Sequence, residues 1–262
     1  MTQGLTNKRL QRTAGQSFGT LVSPSARGPQ PLNRRSVRRR PRPPWRVMHK
    51  KKADGKNSAL IELVAQLRDH IDLHRIIGLN VAALRNSDIS DAFLGYLQKS
   101  AHESLAIYIC KIFESSTRNE LNSIPGIIES LPLTHLGDKQ KREFATFAKR
   151  YGNHSDPTEA RSYLKGTFGL FCGIHSESLD RLKKFRDTIG AHSDSKAAIR
   201  SLPSHAEFEI LFSFANDFYE LVSDSISNVG PASIPRRAGR GFIRLIESMG
   251  VQAAKFDFDE EK

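Results

Sequence analysis

The sequence predicts an all-α protein: an antiparallel up-and-down helical bundle preceded by a basic N-terminal arm read as disordered. Three observations carry this. Apolar residues recur at three- and four-residue steps in four long segments, which is the period of a helix with one buried stripe. No segment alternates with comparable quality at the two-residue period of a strand. The links between the helical segments are short, and short links favour antiparallel neighbours.

Taken in order, residues 1–56 are rich in Pro, Arg and Ser and lack either period. They offer too little apolar surface to offset ordering entropy, hence the arm. From Ala59, "ALIELVAQLRDHIDLHRIIGLNVAAL" reads as a long helix with one apolar stripe. Ser90 or Asp91 then caps a second, whose Leu97, Ala101, Leu105, Ile109 and Ile112 share a face. "IPGIIESLP" is a short helical turn closed by Pro132, and residues 138–150 form a charged, exposed helix. Pro157 opens "TEARSYLKGTFGLF", and the glycines at 166, 169 and 173 predict a break near Gly173. Leu179, Leu182, Phe185 and Ile189 mark the third long segment, and Gly190 is placed to end or loosen it. Ser204 begins the fourth, with the most apolar stripe of the chain: Phe208, Leu211, Phe212, Ala215, Phe218 and Val222. The helical domain is thus set at 57–229, followed by a short helix and acidic tail at 230–262.

The formal charge is +12, yet residues 1–56 alone hold 15 Lys and Arg against one acid, Asp54. The remaining 25 basic and 27 acidic residues leave the body near neutral. The excess charge belongs to the arm, for which three readings stand: a nucleic-acid-binding arm, an organelle transit peptide, or sequence upstream of a true start at Met48. The two cysteines, Cys110 and Cys172, sit among apolar residues without metal-ligand spacing and read as buried thiols of a reducing compartment. No apolar run approaches the roughly 20 residues of a membrane span, so the expected location is cytoplasmic with no membrane partner.

The familiar catalytic signatures for phosphate cradling, serine hydrolysis, zinc proteolysis and dinucleotide binding are missing. No metal or cofactor is expected: His102 with Glu103, and His154 with Asp156, lack further ligands and read as exposed or satisfied polar residues. What remains is "LKKFRDTIGAHSDSK", residues 182–196. Its spacing selects nothing by itself, because Arg68, Asp69 and His74 repeat the interval of Arg186, Asp187 and His192. Context separates them. Arg68 and His74 fall about 120° apart on an uninterrupted helix surface, whereas Arg186 is followed by Gly190, Ala191 and the small polar pair Ser193 and Asp194. There the chain can bend toward a cleft with room for a nucleotide.

"KFRDTIGAHSD" resembles the R-x4-6-H signature of the HEPN superfamily (higher eukaryotes and prokaryotes nucleotide-binding). With the upstream "AHESLAIYICKIFESSTRNELNSIPGIIESL" it is most similar to the abortive-infection U-type branch, linked to phage defence. The resemblance covers roughly residues 60–228. It implies a HEPN-like bundle that forms a homodimer with both motifs lining one cleft, RNA as substrate, metal-independent cleavage in active members, and a cognate antitoxin. In that implied chemistry the RNA 2′-hydroxyl is the nucleophile. His192, with an ordinary pKa of about 6.5, moves the proton. Arg186 holds the phosphate through its planar fork, Asp187 orients either, and Ser193 and Asp194 contact substrate. The alternative is a catalytically inactive HEPN-like module that binds nucleotide, RNA or protein.

Overall fold

The computed structural model describes residues 44–87, 91–115, 122–133, 135–191, 202–227, 230–232, 234, 237–254 and 256, with the side chains of 44–51, 189–191 and 237 set aside. These residues form eight α-helices: α1 Pro44–Arg85, α2 Asp91–Phe113, α3 Ile124–Ser130, α4 Asp138–Arg150, α5 Ala160–Ile174, α6 Ser176–Ala191, α7 His205–Val222 and α8 Arg237–Ser248. No strand occurs among them; one isolated bridge pairs His135 with Glu159.

Local chemistry explains most of the boundaries. Ser123 caps α3 by accepting from the Gly126 amide at 3.3 Å, and Glu159 caps α5 by accepting from the amides of Arg161 and Ser162. Ser204 and Glu207 form a reciprocal capping box at the start of α7. The expected break falls at His175, between α5 and α6. Gly190 does not end its helix, since α6 continues to Ala191.

The described structure begins before residue 57, where the sequence pattern places the start of the helical domain. Helix α1 starts at Pro44, and the compact unit spans Arg42–Lys262. Ala53 is fully buried. The Lys56 ammonium donates to the Gly126 carbonyl at 3.2 Å, and the Asn57 amide donates to Ser223 Oγ at 2.8 Å. The sequence pattern hides this because "KKKADGK" is polar; residues 54–57 are held by side-chain hydrogen bonds to partners far along the chain. A chain beginning at Ser58 is therefore expected to lose about 2–4 kcal/mol relative to one beginning at Pro44, from three long-range polar contacts at about 1 kcal/mol each plus Ala53. Urea unfolding of the two truncations measures it.

Helix α7 is the axis of the core. Its predicted stripe is buried, and so is Phe214 at the edge of that stripe, three residues after Leu211 and four before Phe218, because α7 packs against α1 and α4 and meets rings from α2 and α5. It runs antiparallel to α1, as the pairs Asn57 to Ser223, Arg68 to Glu209 and His74 to His205 require. Helix α2 also opposes α1, and α6 runs with α7 rather than against it: Ser178 meets Glu207 near the start of α7, and Arg186 lies at the end of α2. After Val222 the chain widens into a π turn, Ser223–Ser227. Its groups are satisfied from neighbouring helices, with Gln140 donating to the Ser225 carbonyl and Ser227 to Asp54.

A second apolar cluster forms at the other end of α1, where Ile76 and Leu84 meet Leu94, Ile246 and Val251. The segment after 230 thus packs on the bundle through α8; residues 257–262 of the acidic tail lie outside the described residues. No helix of the described residues is long and apolar enough to cross a membrane.

Candidate functional site

Arg186 stands three-quarters of the way along α6, one turn beyond the buried Leu182 and beside the buried Phe185. Those two residues fix the roll of the helix and turn Arg186 toward the end of α2. There its Nη1 donates to Glu114 Oε2 at 2.5 Å, while Nε and Nη2 donate to Asp187 Oδ1 at 3.1 and 2.7 Å. The side chain keeps 27% of its exposure, against 34% for Glu114 and 58% for Asp187. Burial opposes the charge, but the hydrogen bonds it donates to Glu114 and Asp187 outweigh it and hold the guanidinium above its ordinary pKa. The result is a permanent cation, oriented from two sides and open on a third.

Cys110 lies one helical turn before Glu114. Burial pushes its thiol up to about 11, against the lowering effect of Arg186, so it is a neutral wall of the site and not a nucleophile.

Glu114 was not among the expected site residues. A signal for it exists in the sequence: an acid immediately after the last turn of a helix faces the negative end of the helix dipole, where a cation is favoured. Such a residue needs a compensating partner elsewhere, and Arg186 is that partner. Asp187 accepts from Arg186 through Oδ1. His192, Ser193 and Asp194 lie outside the described residues.

Arg68 is only 2% exposed, held by Asp72 at 3.1 Å and Glu209 at 2.7 Å, with its guanidinium over the Phe212 ring. His74 points away from it, into contact with His102. They do point apart, but into the bundle and not on an uninterrupted surface, and His102 is packed rather than exposed. No group of three or more His, Cys, Asp or Glu among the described residues is arranged to hold a metal ion.

A family model for AbiU2, an HEPN domain, matches residues 51–242, from the first turns of α1 into α8. The chain belongs to the AbiU2 family of HEPN domains. No curated protein and no solved structure gives a match to it. The extent of the AbiU2 match agrees with the packed body, including the part of α1 that precedes residue 57.

Proposed function

We propose that this AbiU2-family domain is an endoribonuclease of a phage-defence or toxin–antitoxin system, cutting RNA inside the cell without a metal ion. Its working form is a homodimer in which two copies of the Arg186 to His192 motif share a cleft, restrained by a cognate antitoxin. The observation that carries the reading is the Arg186 fork, fixed by Glu114 and Asp187 yet partly open to solvent, six positions before His192. A cation so placed can take a phosphodiester oxygen and the charge that develops on it. His192 then takes the proton of the 2′-hydroxyl or returns one to the leaving 5′-oxygen. Asp187 positions Arg186, and Ser193 and Asp194 bind the neighbouring nucleotide.

The test is incubation of the purified protein with RNA in excess chelator beside His192→Ala. Cleavage should fall by about 10²–10⁴-fold, the usual weight of a general acid or base. Equal cleavage by the variant rejects the assignment.

A second reading has its own support. Two carboxylates face one guanidinium, and residues 57–262 are two charges negative. A free-standing RNA binder normally carries a basic stripe, so a non-catalytic module that binds nucleotide or protein fits this balance. Binding retained in His192→Ala, with no turnover in the parent, is its signature.

A further inference from the structure

Away from Arg186, where α1, α2 and α7 meet, three histidines converge. His74 belongs to α1, His102 to α2, and His205 is the first residue of α7. The His74 ring lies 4.6 Å from that of His102 and 6.2 Å from that of His205, and meets the edge of Phe208 at 6.2 Å. The Nδ1 atoms of His74 and His102 are buried without a hydrogen-bond partner. This arrangement suits neutral rings; two imidazolium cations at this separation repel.

Compensation is not at hand. From α1 the nearby charges are Arg68 with Asp72, Asp69, which accepts from the Ala238 amide, His70, stacked on Tyr108, and Arg75, set over Phe256. Helix α2 offers Glu103, paired with Lys99. Helix α6 offers Arg181, bonded to Glu207 of α7. Glu209 of α7 is 3.3 Å from His205 and already bonded to Arg68. Among the described residues no carboxylate contacts His74 or His102.

We propose that His74, His102 and His205 form an acid-sensitive latch: protonation of His74 and His102 parts the start of α7 from α1 and α2.

Burial, then His102 and His205, push His74 down to about 4, and burial lowers His102. The sign follows. Below 6.5 the unfolded chain binds protons that the folded one refuses, so stability is full above 6.5 and is lost as pH falls from there toward 4. Each refused proton costs tenfold in the folding equilibrium constant per pH unit.

The experiment follows thermal unfolding of the full chain between pH 7 and 5, beside His74→Gln/His102→Gln. His70, which burial also lowers, is kept in both proteins as a common background. The parent's folding constant should fall at least tenfold more than the variant's over that interval. Amide exchange in 205–212, corrected for intrinsic rates, should rise at pH 5 in the parent only. An identical pH dependence in the two proteins, or unchanged protection of 205–212, overturns the proposal. Should the variant fail to fold, imidazole titration of the parent by NMR decides: His74 and His102 titrating well below 6.5 support the latch, and at or above 6.5 they overturn it. None of these readouts requires RNA cleavage, so the latch and the ribonuclease reading fail separately.

Discussion

Phe214→Ala is expected to destabilise the domain by about 3–5 kcal/mol, a fall in Tm on the order of 10 °C. Phe214 is fully buried. Its ring stacks on Phe171 at 4.0 Å, takes the edge of Tyr151 at 4.6 Å, and lies 5.6 Å from Phe147 and 6.1 Å from both Phe113 and Phe168. One side chain therefore joins α2, α4, α5 and α7. An alanine there leaves a cavity walled by rigid rings on separate helices, which cannot collapse to fill it. Phe214→Leu, which keeps most of the volume, should cost less than half as much. Leu133→Ala, at a site 64% exposed, should stay within about 0.5 kcal/mol. Urea unfolding of the three variants gives the order. A Phe214→Ala value near that of Leu133→Ala would remove Phe214 from the centre of the core.

Phe214 also shows where the sequence could and could not be read. The stripe from Phe208 to Val222 was legible because one face of α7 repeats at helical period. Phe214, three residues after Leu211 and four before Phe218, lies at the edge of that stripe, and the helices packed around α7 make that edge interior. The start of α1 was illegible for the opposite reason: Lys56 and Asn57 are tied down by Gly126 and Ser223, partners far along the chain that no local pattern announces. Helix α4 read as exposed because its charges outnumber its apolar residues, yet Phe144 and Phe147 are buried. In the site, Arg186 and Asp187 could be picked out by family resemblance and small-residue context. Glu114 carried only the weak signal of an acid at a helix C-terminus, and its partner could not be named because the contact depends on α2 ending beside α6. The histidines looked unconnected because 28 residues separate His74 from His102 and 103 separate His102 from His205; three helices bring them together.

The core and the site meet at Phe113 and Glu114. Phe113 packs on Phe214 and Phe171, and the next residue holds Arg186. This adjacency gives the second large effect a diagnostic form, because activity and stability should separate. Arg186→Ala is expected to lower RNA cleavage by about 10²–10³-fold, the range for removing one preorganised donor set from a developing oxyanion. Its stability cost should be no more than about 1 kcal/mol, since the ion pairs it breaks are partly exposed and screened. Arg186→Lys should recover little, because an ammonium cannot present parallel donors to Glu114, Asp187 and a phosphate at once. Glu114→Gln should have a smaller effect, seen mainly as weaker RNA binding with kcat largely kept, as fits a residue that positions Arg186 rather than touching the phosphate. Cleavage kinetics beside urea unfolding resolve these cases. If Arg186→Ala costs several kcal/mol of stability and cleaves at the parent's rate once folded, Arg186 is a strut between α2 and α6. If it folds normally and loses cleavage, the cation that Glu114 and Asp187 hold in place belongs to the chemistry.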